Sequence, residues 1–233
     1  MLPRIRRDEL MDNPNLDPVL HREALLGLER LNLFSFTPNT IWRQLRSFYR
    51  HNQLRTIRVL DLATGGGDTP IILSKLAQKA ELPFEFTGAD ISATAISFAR
   101  NKAEKENANV SFIELDILNS EIPPSFDVIM TSLFTHHLDP AQVIDLFIKM
   151  RNATKQFLLV NDLIRSRFSL SLVWLATRVL SNSKIVHYDG PASVEAAYTV
   201  GEMNDMAHTA GLNGCIIRHC FPCRQLLIWE KAI

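Results

Sequence analysis

The pattern of apolar and polar positions changes near Arg58. From there on, short apolar runs bounded by turn-forming residues are separated by longer segments that are typical of helices. Strands that alternate with helices of this length predict a parallel, doubly wound sheet. The predicted strands are 57–62, 84–88, 110–115, 126–133 and 157–160, and the predicted helices between them are 70–80, 93–106 and 140–152.

The segment before residue 57 has a helical pattern instead. Asp17 and Thr37 are each followed by proline, and such a pair suits a helix start because the side-chain oxygen caps a backbone N–H and proline needs none. We therefore predict N-terminal helices at 18–31 and 38–52, lying before the core.

The C-terminal tail follows a third pattern. A helix is predicted at 201–210, and two strand-like runs at 215–218 and 225–229 are joined by a short turn, which is typical of an antiparallel hairpin. The complete prediction is an α/β fold: a Rossmann-like, doubly wound, seven-stranded sheet with a C-terminal antiparallel hairpin, an N-terminal helical extension and a helical lid after the fifth strand.

The lid is predicted from residues 165–200, an extra segment between the fifth strand and the tail. It contains the apolar stretch 168–180, which also fits a buried core helix. Open α/β sheets bind ligands at the carboxyl ends of their strands, so a segment at this point is equally well placed to cover a ligand crevice. Both interpretations stay open.

Composition and charge exclude several classes of protein. The chain has 25 lysines and arginines against 25 aspartates and glutamates, so no net charge favours nucleic acid or an anionic membrane. The basic start is not followed by the apolar stretch of a secretory signal, and no apolar run is long enough to span a bilayer. Three cysteines do not make a disulfide framework. We expect a cytoplasmic globular protein without nucleic-acid partners or integral membrane association.

The first predicted strand leads into a glycine-rich loop, residues 63–69. Glycines allow a tight turn and a close approach of backbone to ligand, and the helix that follows begins at a proline. A dinucleotide-binding fingerprint requires glycine at the first, third and sixth positions. Counting from Gly65, the third is Gly67 but the sixth is Pro70. The match to a nicotinamide-dependent dehydrogenase is therefore poor.

The loop resembles the first motif of class I S-adenosylmethionine-dependent methyltransferases, in which an acidic residue is followed by glycines at alternate positions. Asp61, Gly65 and Gly67 match that motif, and Ala63 stands where the family has its first glycine. The resemblance implies that the loop approaches the methionine portion of S-adenosyl-L-methionine and that Asp61 holds its amino end.

Two further acids end the next two predicted strands. By the same resemblance, Asp90 accepts hydrogen bonds from the ribose hydroxyls, Asp116 accepts one from the adenine amino group, and the backbone N–H of Ile117 meets a ring nitrogen. Each acid alone is also typical of a strand end or a helix cap. The predicted cofactor-binding set is Asp61, Ala63, Thr64, Gly65, Gly67, Asp68, Asp90, Ile91, Asp116, Ile117, Thr131 and Ser132.

The fourth strand resembles the motif that ends beside the transferred methyl group. Small-molecule members of the family, including quinone-biosynthesis enzymes, carry a histidine here, and His137 is the matching residue with His136 as its neighbour. A neutral imidazole can take the proton of a phenolic or enolic oxygen. The alternative is that His137 caps or packs the next helix, or only contacts the cofactor.

Polar residues also follow the fifth strand. Catechol-type methyltransferases hold a metal with an Asp-Asn pair here and an aspartate after strand four. This chain has Asn161 and Asp162 in the reverse order and lacks that aspartate, so we predict no metal. Asp162 remains a candidate base or substrate contact. Arg165 is a candidate contact for an anionic acceptor, against the alternative of an exposed arginine.

Two other clusters are weaker candidates. Cys220 and Cys223 form a Cys-x-x-Cys pair in the predicted hairpin turn, without a second pair or a helix start, so a zinc or redox role is not favoured. His187 and Tyr188 precede an Asp-Gly-Pro sequence, which predicts a loop in the lid. Both are candidate substrate contacts, with surface or packing roles as the alternative.

The resemblance implies two domains and one activity. Residues 1–56 form an N-terminal helical cap and 57–233 the methyltransferase domain. The expected activity is methyl transfer to a small acceptor, aromatic or lipid-like, with O-methylation favoured. The alternatives are an NAD(P)-dependent oxidoreductase on a similar sheet and a catalytically silent module that binds S-adenosylmethionine.

Overall fold

A computed structural model describes residues 2–12, 16–17, 19–20, 23–24, 27, 31, 37–52 and 56–231. The strands are β1 Ile57–Leu62, β2 Phe84–Asp90, β3 Val110–Glu114, β4 Val128–Ser132, β5 Phe157–Leu163, β6 Ile216–Cys220 and β7 Arg224–Glu230. The helices are α1 Thr37–Asn52, α2 Asp68–Lys79, α3 Ala93–Lys105, α4 Pro140–Ala153, α5 Arg167–Leu180, α6 Lys184–Ala196 and α7 Val200–Thr209. Short 3₁₀ turns lie at Leu10–Asp12 and Thr135–His137.

The strands form one seven-stranded sheet in the order β3-β2-β1-β4-β5-β7-β6. The first five strands are parallel, and β7 is antiparallel to both β5 and β6. The predicted fold class, a doubly wound sheet ending in an antiparallel hairpin, is confirmed.

The strand order reverses between β1 and β4. Asp61 of β1 is in register with Gly88 of β2 and Met130 of β4, so the carboxyl ends of these strands meet at one edge of the sheet. Chain connections leave such a point in opposite directions and open a crevice above it. The glycine-rich loop and the 3₁₀ turn at Thr135–His137 both lie at this edge.

The core has a layer on each face of the sheet. Val59 packs with α1 through Leu45, while its neighbour Leu60 packs with α4 through Phe147 on the other face. Because successive strand residues point to opposite faces, the central strands are apolar on both sides. On the α1 face, the ring of Phe48 stacks on that of Phe157 at 4.8 Å.

The lid segment differs from its prediction. His187 and the Asp-Gly-Pro sequence after it lie inside α6, with Pro191 within the helix, so the predicted loop is wrong. Packing explains the helix: a side chain at Gly190 would come within 2.6 Å of Thr177 on α5, and the Asp189 carboxylate accepts backbone N–H groups of the N-terminal segment.

Helix α5 is not the buried core helix that one interpretation favoured. Its side chains Phe168, Trp174, Leu175 and Val179 are all at least half exposed. One face of α5 packs on α6, and the apolar remainder lies on the surface.

Strand β5 is longer than predicted. It extends through Leu163 because β7 pairs with its whole length, so Asn161 and Asp162 are buried strand residues rather than residues after a strand. At the N-terminus, the helix predicted at 18–31 falls mostly outside the described residues. Within the described part of the chain, no helix has the length and apolar character needed to cross a membrane.

Candidate functional site

The glycine-rich loop starts from a buried carboxylate. Asp61 is 2% exposed, and one of its oxygens accepts a hydrogen bond from the Thr64 hydroxyl at 2.7 Å. The other oxygen is buried without a hydrogen-bond partner among the described residues. Burial, with a smaller contribution from Asp90, raises the pKa of Asp61 to about 7. A buried acceptor without a donor is costly, so this carboxylate is suited to a ligand that brings a cation or an N–H group.

The loop backbone is held open by left-handed conformations. Ala63, Gly65 and Gly67 have φ angles of 53°, 54° and 75°. At Gly67, a Cβ would lie 2.8 Å from the ring of Phe112, so the close approach to β3 requires glycine. A Cβ at Gly65 would meet no atom within 4 Å, which leaves space above the loop for a ligand.

Asp90 joins the loop to the end of β2. Its two carboxylate oxygens accept the backbone N–H groups of Gly65 at 2.8 Å and Ser92 at 2.9 Å. Each oxygen keeps further acceptor capacity, so the geometry leaves room for hydroxyl donors. Of the other predicted residues, Ile91 is exposed, whereas Asp68 forms an ion pair with Lys102 at 2.6 Å.

The acid after β3 lies in a tight turn. Asp116 accepts hydrogen bonds from the Asn119 side chain and from the backbone N–H groups of Asn119 and Leu118, and these lower its pKa. Ile117 is buried in the core. After β4, the Thr131 hydroxyl donates to the carbonyl of Leu62 and Ser132 is partly buried, so Thr131 ties β4 to β1.

A buried histidine–carboxylate pair lies beyond β4. Nδ1 of His136 is 2.7 Å from Oδ1 of Asp162, and both side chains are almost fully buried. Asp162 also accepts the Thr135 hydroxyl and the backbone N–H groups of His136 at 3.1 Å and Leu163 at 2.7 Å. This arrangement fixes the ring and directs Nε2 away from the carboxylate. The sequence indicated His136, His137 and Asp162 as candidate site residues, but not the pairing of His136 with Asp162.

The pair and its neighbour have different pKa shifts. Burial alone raises the pKa of Asp162, but His136 and the hydrogen bonds outweigh it and lower the pKa to about 2. Burial lowers the pKa of His136, while the Asp162 charge and hydrogen bond, together with Glu9, raise it overall. Burial and His136 lower the pKa of His137 to about 4. The electrostatics of the folded chain therefore favour His136 over His137 as the residue that takes up a proton.

A cavity of about 360 Å³ opens beside these rings. Its lining includes Arg6, Glu9, Leu118, His136, His137 and Gln142. The two imidazole centroids are 4.2 Å apart. Leu118 follows the turn of Asp116, so the cavity connects the histidines to the end of β3.

The N-terminal segment 2–12 forms one wall of this cavity, which the sequence did not predict. Arg4 donates to the carbonyls of Ala196 at 2.7 Å, Leu138 at 2.7 Å and His136 at 3.1 Å. Arg6 donates to the carbonyl of His137 at 3.0 Å. The basic residues near the start were the available signal, but nothing in their spacing indicates which carbonyls they reach.

The predicted substrate contacts are not brought to the cavity. Arg165 is buried and donates hydrogen bonds to the carbonyls of Leu2 and Ala197 and to the Glu202 carboxylate, so the interpretation as an exposed arginine is wrong. The guanidinium of Arg165 thus links the N-terminal segment to the ends of α6 and α7. Nε2 of His187 is 2.8 Å from the carbonyl of Ser181, and Tyr188 is exposed on α6. Neither residue lines the cavity.

Cys220 and Cys223 lie at the turn of the terminal hairpin. Cys220 ends β6 and Cys223 precedes β7, and burial raises the pKa of both thiols. A raised pKa keeps a thiol protonated and unreactive.

Comparison with known proteins finds similarity to methyltransferases over part of the chain. Residues 59–156 match a family model described as a methyltransferase domain. The chain is 36% identical over 98 residues to a demethylmenaquinone methyltransferase from Thermus thermophilus, covering 42% of each chain. It is 32% identical over 81 residues to a release factor glutamine methyltransferase from Lactococcus lactis, covering 35% of this chain and 28% of the relative. The chain thus spans less than half the length of either curated relative.

Solved structures of methyltransferases share the fold over most of this chain. The plantazolicin methyltransferase BpumL, in complex with a triazolic desmethylPZN analog and SAH, superposes with a TM-score of 0.68. The sequence identity is 18%, and the match covers 93% of this chain and 92% of that one. The similarity of fold therefore extends well beyond residues 59–156, since it covers 93% of this chain.

Proposed function

We propose that this chain, which contains a class I S-adenosylmethionine-dependent methyltransferase domain, transfers the methyl group of S-adenosyl-L-methionine to a small acceptor. The single observation that carries the proposal is the edge formed by β1 and β2. There a buried carboxylate, a left-handed glycine loop and a second carboxylate lie together, and a side chain at Gly65 would meet no atom within 4 Å.

Asp61 fits the amino end of the cofactor. Its unpartnered buried oxygen would accept an ammonium hydrogen, and the positive charge would in turn favour the ionised carboxylate. A dinucleotide would place pyrophosphate here, which the Asp61 carboxylate would repel. Asp90 would accept the ribose hydroxyls, and the turn at Asp116 and Ile117 would meet the adenine. The residues around the loop, namely Ala63, Thr64, Gly65, Gly67, Asp68, Ile91, Thr131 and Ser132, complete the proposed cofactor site.

His136 is the proposed base, with Asp162 as the residue that orients it. S-adenosyl-L-methionine, held by Asp61 and Asp90, would supply an activated methyl group to the acceptor oxygen, and the electron pair of its carbon–sulfur bond would stay on the sulfur of S-adenosylhomocysteine. The acceptor proton passes to Nε2 of His136, and the Asp162 charge stabilises the imidazolium. Because the sulfonium already activates the methyl group, the protein mainly aligns the reactants and excludes water.

The proposed acceptor is aromatic or lipid-like and is methylated on oxygen. The hydrogen-bonded pair of His136 and Asp162 supports a hydroxyl acceptor, because it can take up the hydroxyl proton. The name of the Thermus thermophilus relative gives demethylmenaquinone as that protein's substrate. The name of the Lactococcus lactis relative gives a glutamine of a protein, which is the competing acceptor class. Residues 165–200, which form α5 and α6 directly after β5, are the proposed lid, and 1–56 the proposed cap.

Two alternatives have less support. A nicotinamide-dependent oxidoreductase would require a glycine at Pro70, which is buried in the first turn of α2. A silent module would bind the cofactor through the same acids but release no product. Measuring whether the chain binds NAD or S-adenosylmethionine distinguishes the oxidoreductase from the methyltransferase. Measuring product release distinguishes the silent module from the enzyme.

The deciding experiment measures release of S-adenosylhomocysteine from the purified chain with a panel of phenols and quinols. Wild-type protein should release it together with a methylated acceptor. Asp162→Asn should lower kcat by about 10²-fold or more, since general-base catalysis contributes that much, while cofactor affinity is unchanged. Asp205→Asn, a change on the exposed face of α7, is the matched control.

Three results would contradict parts of this proposal. Tight binding of NAD without binding of S-adenosylmethionine would restore the oxidoreductase. Cofactor binding without turnover on any acceptor would favour the silent module. Methylation of RNA or protein, and of no phenolic compound, would overturn the acceptor class.

A further inference from the structure

Two imidazoles and a carboxylate converge at the wall of the cavity. One ligand atom from each of Glu9, His136 and His137 lies within 4.8 Å of the other two. Oε1 of Glu9 is 3.8 Å from Nε2 of His136. The histidines come from the 3₁₀ turn after β4, whereas Glu9 comes from the N-terminal segment that folds back over that turn.

His136 has a hydrogen-bond partner of the kind that metal-bound histidines have, the Asp162 carboxylate. A ligating imidazole usually donates its second ring N–H to a carboxylate, a backbone carbonyl or water, which fixes the ring and leaves the other nitrogen for the ion. Here Nδ1 faces Asp162 at 2.7 Å, and Asp162 is itself held by Thr135 and the backbone N–H of Leu163. Nε2 is therefore directed toward Glu9 by a rigid, buried support.

We propose that Glu9, His136 and His137 bind one divalent transition-metal ion of the zinc type. Two imidazole nitrogens and one carboxylate oxygen are ligands that zinc accepts, whereas magnesium and calcium prefer oxygen ligands. Zinc bonds of about 2.0–2.2 Å in a tetrahedron place ligand atoms roughly 3.4 Å apart. The Glu9 and His136 atoms, 3.8 Å apart, must therefore close by about 0.4 Å, and the other pairs, all within 4.8 Å, by up to about 1.4 Å. Three protein ligands leave the fourth position open to the cavity.

This site departs from the prediction of no metal. That prediction considered magnesium and oxygen ligands after the fourth and fifth strands, whereas the third ligand here is Glu9, which only the folded N-terminal segment brings near. Metal binding itself does not depend on the proposed function. One consequence depends on the proposed function. An ion on Nε2 of His136 would occupy the atom that is proposed to take the proton of the methyl acceptor, so His136 cannot bind the metal and act as the base at the same time.

The test titrates the metal-free full-length chain with Co²⁺, followed by visible absorption, and with Zn²⁺, followed by calorimetry, without cofactor or acceptor. We expect one equivalent to bind with the intense visible bands of four-coordinate cobalt, and Zn²⁺ to displace it. Glu9→Gln and His137→Gln should each weaken Zn²⁺ binding at least tenfold, and Asp162→Asn by about 10–100-fold. The control His208→Gln, at an exposed histidine on α7, should bind like wild type.

Equal Zn²⁺ affinity in wild type, Glu9→Gln and His137→Gln would overturn the proposal, as would the absence of binding in wild type. Circular dichroism of each metal-free variant checks its fold. Since Glu9 and His137 lie on different segments, either variant that keeps the wild-type spectrum decides the question. Failure of this test leaves methyl transfer untouched, because neither S-adenosylmethionine nor turnover enters the measurement.

Discussion

Ala63 occupies a backbone position that favours glycine. Its φ of 53° is in the left-handed region, where a Cβ crowds the following carbonyl oxygen. Ala63 stands where the class I methyltransferases that the loop resembles have a glycine, and the left-handed backbone gives that departure a physical cost. The acids and glycines around the loop were predictable because they lie at or shortly after the ends of apolar strands. The choice between His136 and His137 was not, since adjacent residues in a 3₁₀ turn point in directions that only the fold defines.

Replacing Ala63 with glycine should stabilise the protein. The left-handed strain is relieved, and the entropy that glycine loses on folding offsets part of the gain, so Ala63→Gly should add about 0.5–1 kcal/mol to the free energy of unfolding. Urea denaturation measures this. The same substitution at Ala141, exposed in the first turn of α4, should cost up to about 1 kcal/mol. Loss of stability in Ala63→Gly would show that the position carries no strain.

Asp61 should make cofactor affinity depend on pH. With its pKa raised to about 7, the carboxyl is neutral below that pH and ionised above it, and only the ionised form attracts an ammonium group. Affinity for S-adenosylhomocysteine should therefore rise up to about tenfold between pH 6 and pH 8. Calorimetry at both pH values measures it. Asp61→Asn should bind weakly at both, and an affinity that falls with pH in wild type would contradict this role for Asp61.

At the scale of elements, the alternating strands and helices were predictable and their ends were not. Asn161 and Asp162 indicated the end of a strand, because polar residues rarely lie inside a parallel sheet. Strand β5 continues through them since β7 supplies backbone partners as far as Leu163. The Asp-Gly-Pro sequence after Tyr188 indicated a loop, but contacts with α5 keep it helical. In both cases a neighbour distant in sequence outweighs the local signal.

The contact between α5 and α6 should depend on Gly190. A Cβ there would lie 2.6 Å from Cγ2 of Thr177 and 3.2 Å from Cγ1 of Val173, so Gly190→Ala should cost about 1–3 kcal/mol through overpacking. Gly201→Ala on α7 is the matched control, because its Cβ would meet no atom within 4 Å and alanine favours a helix. Thermal denaturation of the two variants compares them. Equal stability would mean that the two lid helices are not closely packed in solution.

At the scale of the whole molecule, the site is formed by segments that are far apart in the chain. The glycine loop, the ends of β2 and β3 and the turn after β4 meet because parallel strands bring their carboxyl ends to one edge. That much follows from the sequence. The N-terminal segment closes the same edge through Arg4 and Glu9, and no periodicity or motif indicated where it would lie. The acceptor side is therefore determined largely by contacts that only the three-dimensional structure reveals.

The decisive measurement is a crystal structure with S-adenosylhomocysteine bound. We expect its amino group to lie on Asp61, its ribose hydroxyls on Asp90, and its sulfur to face the cavity lined by His136 and His137. An adenosyl group elsewhere, a sulfur directed away from those imidazoles, or no bound ligand at saturating concentration would contradict this expectation.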